Sequence, residues 1–138
     1  YGERMRIDDG RAIPNFISGA LRNKPLVVYG LGCQTRSFCY VSDLMEGIYR
    51  LMFKRVNEPI NLGNPGEFTI LELAKIVIRV TCAKSKIVFC ALPQDDPRQR
   101  KPDIAKAKKL LKWQPKIRLE EGLRQAVGWF RDNLGGLP

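Results

Sequence analysis

Apolar side chains recur at helical spacing along much of the chain, and short β-branched runs lie between these stretches. Residues 11–22 place Ile13, Phe16, Ile17, Ala20 and Leu21 on one side, and Pro14 is tolerable only in a first turn, so a helix is predicted from about Ala12. "PLVVY" (25–29) and "RSFCYV" (36–41) read as strands, joined by the turn "GLGCQT". Ser42 or Asp43 is then positioned to cap a helix that runs to about Lys54, with Leu44, Ile48, Leu51 and Met52 as its expected buried side. "PINLG" (59–63) reads as a short strand, and "TILE" (69–72) as a capping box opening a helix to about Val80, with a stripe of Leu73, Ile76, Val77 and Val80. "KIVFCAL" (86–92) reads as a buried strand, followed by a loop, "QDDPRQRKPDI" (94–104), in which no regular element is expected. "KAKKLLKW" (106–113) predicts a short basic amphipathic helix. Beyond Pro115 a last helix carries Leu119, Leu123, Ala126, Val127 and Phe130, with two acids in its first turn where the helix dipole favours them. The order is mixed α/β without internal repeats, and the length suits a single region over 1–138.

Composition narrows the chemistry. There is no histidine, and the four cysteines (Cys33, Cys39, Cys82, Cys90) show no CxxC spacing, which disfavours most zinc sites and every histidine-based dyad or triad, so no metal site is expected. No Tyr-x-x-x-Lys occurs. "GLGCQT" has the first two glycines of a dinucleotide fingerprint but Thr35 in place of the third, and it joins two strands instead of opening a helix. No apolar run reaches membrane-spanning length, so the chain reads as soluble, with a cytoplasmic location as the expectation.

A net charge of +10 points towards anions: nucleic acid, a phosphorylated small molecule, or neither if the lysines are a solvated face. Arg4, Arg6, Arg11, Arg36, Arg98 and Arg100 all stand beside turn residues or strand ends. A guanidinium on a loop suits phosphate or carboxylate, because its planar fork matches two oxygens. The competing reading pairs these arginines with Asp95, Asp96 and Asp103 at the surface, where each ion pair contributes about 0–1 kcal/mol.

The order of motifs separates these readings. "YGERM…DDGR", "NFISGAL", "QTRSFCYVSDL", "PINLGNPGEFTILELA" and "PQDDPRQRKPDIAKAKKLLKWQPK" together resemble the carboxy-terminal part of UDP-glucuronic acid decarboxylases, the UDP-xylose synthases of the extended short-chain dehydrogenase/reductase family. The resemblance implies an α/β fold, namely the substrate-binding part of such an enzyme without most of its dinucleotide-binding parallel sheet. It also implies a reaction in which NAD accepts hydride from C4 of the glucuronic acid ring, carbon dioxide leaves β to the new ketone, and the hydride returns to give UDP-xylose.

Matched by position, Arg100 corresponds to an arginine facing the sugar and diphosphate and is the catalytic candidate, steering protonation after decarboxylation. Arg36 corresponds to a diphosphate contact, Asp103 to an acid near the ribose and Asn15 to a polar contact on the substrate helix. The strand containing Val28 and Tyr29 corresponds to the edge beside the uracil, and Arg6 and Arg11 lie towards the cofactor. Glu3, Arg6, Pro14, Leu31 and Cys33 depart from the usual pattern, chiefly on the cofactor side. The implied partners are a UDP-sugar, an amino-terminal half carrying the glycine-rich loop and the Tyr/Lys pair, and a homodimer mate. Without that half the chain is expected neither to retain NAD nor to catalyse, and the alternative is a basic binding module for nucleic acid or a protein.

Overall fold

The computed structural model describes residues 1–7, 10–94 and 96–134. Helix α1 (Ala12–Leu21) buries Ile13, Pro14, Phe16, Ile17 and Ala20, with Pro14 in the first turn where its missing N–H costs nothing. It packs against α3 (Ile70–Thr81), α4 (Leu119–Asn133) and strand β1 (Leu26–Tyr29), and α3 in turn touches α4 and β1. Ile17, Leu73, Val77 and Leu123 are fully buried at the centre, each contributing about 2 kcal/mol of transfer free energy. The capping box forms as expected: Thr69 Oγ1 accepts from Glu72 N (3.1 Å), and Glu72 Oε2 accepts from Thr69 N (2.8 Å).

β1 pairs in parallel with β4 (Ile87–Cys90), from Leu26 beside Ile87 to Tyr29 beside Cys90. Strand alternation turns Leu26 and Val28 into the core and leaves Val27 and Tyr29 exposed. The expected buried strand 86–92 is thus shorter and is not buried: Val88, Phe89 and Cys90 are exposed, so side chains on both of its faces meet solvent.

A second sheet has the order β3-β2-β5, built from β2 (Thr35–Ser37), β3 (Glu67–Thr69) and β5 (Gln99–Arg100). The loop expected to lack regular structure therefore contributes a two-residue strand, parallel to β2 and bounded by Pro97 and Pro102, which restrict its length. Strand 36–41 is confined to its first residues, and "PINLG" forms no strand. Ile60 and Leu62 instead pack against a small second core of Ile104, Ala107, Leu111 and Trp113. The basic segment is π-helical over Ala107–Leu111 and ends at Lys112 with φ of 50°.

Helix α2 (Val41–Met52) is rotated from the expected orientation: Leu44 and Leu51 are partly buried, Leu51 against the smaller core, but the inward side is centred on Asp43 and Gly47. Its N-cap is Tyr40, without a side-chain cap bond, and Asp43 sits within the first turn. Asp43 is 4% exposed, its Oδ2 accepts from Lys116 N (2.9 Å) and Ile117 N (2.8 Å), and its carbonyl accepts from Trp113 Nε1 (2.9 Å). Gly47 faces inward with it, where an added Cβ would lie 2.9 Å from the Trp113 ring. Ile48 and Met52, expected to be buried, are turned outward, Met52 to 72% exposure.

Replacing Asp43 with Ala is expected to cost about 2–4 kcal/mol in urea unfolding, because two amide donors lose their acceptor at about 1–3 kcal/mol each. Asp43→Asn, which keeps one acceptor oxygen, should lose roughly half as much. A second test uses pH. Burial and the hydrogen bond to Glu3 push the Tyr40 hydroxyl up to about 12 from its ordinary 10.0. A raised value favours the protonated folded form, so this contribution is complete below pH about 10 and is lost as pH rises towards about 12. Thermal melts across that window should show the midpoint falling, with a smaller slope in Tyr40→Phe. Some slope remains, because burial also raises the Tyr1 hydroxyl.

Candidate functional site

Where α1, β1 and the β3-β2-β5 sheet face one another, they enclose a cavity of about 840 Å³, within the size range of small-ligand sites. Among the described residues its wall carries five basic side chains, Arg11, Arg22, Lys24, Arg36 and Arg100, against one carboxylate, Asp96. Apolar surface comes from Phe16, Val27, Phe38 and Ile70, with Tyr29 and Asn15 at the wall.

The second sheet fixes the two most informative cations. β2 and β5 pair with Arg36 beside Arg100, so both side chains leave the same face of the sheet on adjacent strands. Arg36 is held on several sides: Nη1 donates to Thr35 O and Pro97 O at 2.8 Å each, and Nη2 donates to Asp96 Oδ1 at 2.5 Å. Its side chain is 17% exposed, and Arg100 is the more exposed of the two. Glu67, on β3, accepts from Thr35 Oγ1 (2.8 Å) and Gln99 Nε2 (2.6 Å) and pairs with Lys101 Nζ (3.1 Å). These three partners, Gln99 first, hold its carboxyl below the ordinary value and tie the three strands together.

Of the residues singled out from sequence, Arg11, Asn15, Tyr29, Arg36 and Arg100 come together at the cavity. Val28 does not present its side chain there, because strand alternation sends it into the core. Its neighbour Val27 takes that place. Asp103 is also elsewhere: its Oδ1 accepts from Ala105 N (2.8 Å) and its carbonyl accepts from Asn61 Nδ2 (3.2 Å), beside a smaller pocket with Pro102 and Lys108. Arg6 is exposed and outside the cavity wall. Asp96 pairs with Arg36, as the competing ion-pair reading expects, whereas Asp95 lies outside the described residues.

Arg22, Lys24 and Gln34 line the cavity without having been singled out. For Arg22 the signal was present, since Arg11, Asn15, Ser18 and Arg22 follow one another at helical spacing along one face. Gln34 reaches the wall across the turn that follows β1, its Nε2 donating to Tyr29 O, five residues back, at 3.1 Å.

Other features leave the cavity as the principal site. Among the described residues no cluster of His, Cys, Asp or Glu could hold a metal ion, and no helix is long and apolar enough to cross a membrane. The lysines beyond the loop are partly paired, Lys106 with Glu58 and Lys116 with Glu46. The "GLGCQT" turn is filled from within. A Cβ on Gly32, whose φ is +71°, would meet the Val28 side chain at 2.7 Å and Leu71 at 3.0 Å, so that glycine serves packing of the chain on itself.

Known proteins share both sequence and shape. The chain is 56% identical over 136 residues to UDP-glucuronic acid decarboxylase 4 of Arabidopsis thaliana and 48% identical over 134 residues to UDP-glucuronic acid decarboxylase 1 of Danio rerio. These alignments cover 99% and 97% of this chain but 31% and 32% of the relatives, so it spans about a third of their length. Among solved structures, UDP-glucose 4-epimerase of Thermotoga maritima with UDP-glucose superposes with a TM-score of 0.93 at 31% identity, covering 97% of this chain and 44% of that one. The UDP-glucuronic acid 4-epimerase of Bacillus cereus, in complex with UDP-glucuronic acid and NAD, gives 0.88 at 29% identity, covering 96% and 42%. The family model described as GDP-mannose 4,6 dehydratase matches residues 1–126, and the chain belongs to that family, as a part-length extended short-chain dehydrogenase/reductase homologous to the UDP-glucuronic acid decarboxylases.

Proposed function

We propose that the cavity receives a UDP-sugar and that this chain supplies the nucleotide-sugar-binding part of a UDP-glucuronate decarboxylase. The observation that carries the reading is the placement of Arg36 beside Arg100 on neighbouring strands at the wall of a cavity rich in cations. Two like charges in register repel, and a diphosphate between them turns that repulsion into attraction. Arg36, already fixed by Asp96 and Pro97, acts as a preorganised cation towards the diphosphate. Arg100 is the freer group, and it stabilises the negative charge that develops on the sugar as carbon dioxide leaves and the carbon is reprotonated. Asn15 orients the sugar, and Tyr29 with the backbone of β1 flanks the base. Asp103 braces the turn that carries Lys101 and Pro102.

The family reaction needs NAD to remove and return a hydride, and the described residues of this chain do not themselves fit a dinucleotide. Gly32 is packed against Val28 and Leu71 and Gly30 against Leu92, and of the two cofactor-side arginines only Arg11 lines the cavity. No step of hydride transfer is assigned to residues of this chain. Their part is to bind, to orient and to hold charge.

Titration with UDP should show saturation at a single site, and the Arg36→Ala, Arg100→Ala double variant should bind at least about tenfold more weakly, as expected for two charge-assisted contacts. Equal affinity for both proteins removes these arginines from the site. Binding to nucleic acid of any sequence, steeply weakened by salt and not competed by UDP, would favour the basic-module alternative. In a separate assay, the 138 residues alone should form no UDP-xylose from UDP-glucuronate in the presence of NAD. Chromatographic detection of that product above a no-protein control refutes the assignment of catalysis to the fuller assembly.

A further inference from the structure

Four cations gather where α1 and α3 end, and two of them reach the cavity. α1 closes with Arg22 N donating to Ser18 O (3.3 Å), Asn23 N to Ala20 O (3.0 Å) and Lys24 N to Gly19 O (2.8 Å). Asn23 takes the left-handed conformation, with φ of 51°, that turns a chain out of a helix and that asparagine tolerates better than most side chains. Its Oδ1 accepts from Lys84 N at 3.0 Å, just beyond the end of α3, and Lys86 O accepts from Leu26 N at 2.9 Å. The connections 22–25 and 82–86 are therefore bonded side by side at the starting end of the β1-β4 pair. They bring together Arg22, Lys24, Lys84 and Lys86, all exposed, and the first two form part of the cavity's rim.

Elsewhere on the surface, cations are often paired: Arg50, Arg79, Lys101, Lys106, Lys116 and Arg124 each meet a carboxylate. Among the described residues no carboxylate pairs with Arg22, Lys24, Lys84 or Lys86. One reason for cations here is the pair of helix C-termini, each equivalent to about half a negative charge. Four positive charges exceed that, so a surplus faces solvent at the rim. A cleft with a surplus of one sign focuses its field outward and raises the local concentration of opposite ions. As direct contacts, solvated side chains on a rim add little, because water and salt screen them. Their effect falls on approach, where rim charges change association more than residence.

We propose that Arg22, Lys24, Lys84 and Lys86 form a cationic approach that draws an anionic nucleotide to the cavity and sets its rate of entry, whereas Arg36 and Arg100 set how long it stays. This rests on the UDP-sugar reading of the cavity. The rim charges act over the Debye length, about 10 Å at 0.1 M salt, before any atom of the ligand is in place. Arg36, fastened by Asp96 and Pro97, acts by contact. Topology keeps the two sets apart. β1 carries the wall from Leu26, beside the rim, to Tyr29, roughly 10 Å further on. There Tyr29 O accepts from Gln34 Nε2, two residues before Arg36. The two sets of cations thus stand at the two ends of β1, and a diphosphate at Arg36 and Arg100 meets the rim through its field.

The test is kinetic. Titration of the chain with UDP, followed by the NMR line shape of the uracil H6 proton, yields Kd and koff, and koff divided by Kd gives kon. Arg22→Gln, Lys24→Gln should lower kon about fivefold at about 10 mM salt, and adding Lys84→Gln, Lys86→Gln should lower it further, with koff unchanged within about twofold. The difference should close as salt rises towards about 1 M, where the Debye length is about 3 Å. Uridine, which carries no charge, should bind equally to all these proteins. Lys109→Gln, Lys112→Gln makes the same change in net charge at exposed sites outside the cavity wall, and should lower kon much less. Unchanged kon in the rim variants, with UDP binding intact and still weakened by Arg36→Ala, Arg100→Ala, overturns this proposal alone. Absence of saturable UDP binding overturns it together with the reading of the cavity. A rise in koff or a loss of uridine binding makes the four residues contacts or packing elements, and an equal fall in kon with Lys109→Gln, Lys112→Gln assigns the effect to net charge; each overturns the proposal. Rim variants that keep the UDP kinetics but bind an oligonucleotide more weakly assign the surface to nucleic acid instead.

Discussion

The register of β2 against β5 is the constraint on which the candidate site depends. It sets Arg36 beside Arg100, an arrangement that costs electrostatic energy on a strand pair only two residues long. Three carboxylate-centred ties offset that cost. Asp96 neutralises Arg36, Glu67 bonds to Thr35 and Gln99, the facing residues that precede the pair on the two strands, and Glu67 also draws in Lys101. Each exposed pair contributes little alone. Together they share atoms across three strands, so none can relax without disturbing the others, and the sheet holds two guanidinium groups at one wall of the cavity. The excess of cations over carboxylates among the described lining residues then gives the cavity its sign.

The rest of the chain serves to hold that sheet against α1. The larger core, formed by α1, α3, α4 and β1, fixes Asn15 and Arg11 on one side of the cavity and Tyr29 on another. The smaller core around Trp113 anchors the segment that follows β5, so the loop carrying Arg100 is fastened at both ends: by Arg36 at Pro97 and by Ile104 in the apolar cluster. Asp43 links α2 to the approach to α4 by accepting from two successive amides. A buried carboxylate whose partners are backbone amides specifies geometry, since few other placements satisfy it.

Much of this was legible in the sequence, and the failures have distinct physical causes. The stripes of α1, α3 and α4 and the Thr69–Glu72 capping box were readable because their periodicity reports a face buried within the chain itself. The stripe expected for α2 is only half met, with Leu44 and Leu51 partly buried and Ile48 and Met52 exposed, because periodicity shows that a face is apolar and does not show what covers it. Ser42 or Asp43 suits a cap by position in sequence, but the partners that bury Asp43 lie more than seventy residues away. β5 was missed because two residues between prolines carry no pattern, and its existence depends on β2. Arg36, Arg100, Asn15, Arg11 and Tyr29 are named by motif resemblance, and the fold brings them to one cavity. Val28, named with them, turns its side chain into the core, since successive residues of a strand face opposite ways.

The start of the chain and the cavity share residues. Tyr1 and Cys39, joined by a backbone bond, also line the cavity, as do Ser37 and Phe38 leading away from Arg36. Main-chain bonding thus ties the first residue to the segment that carries one of the two cations. An anion between Arg36 and Arg100 at a wall open to water would have each charge interaction weakened by high dielectric and salt. That weakening is least at Arg36, whose side chain is 17% exposed, so the cation already fixed by Asp96 and Pro97 is also the less screened of the two.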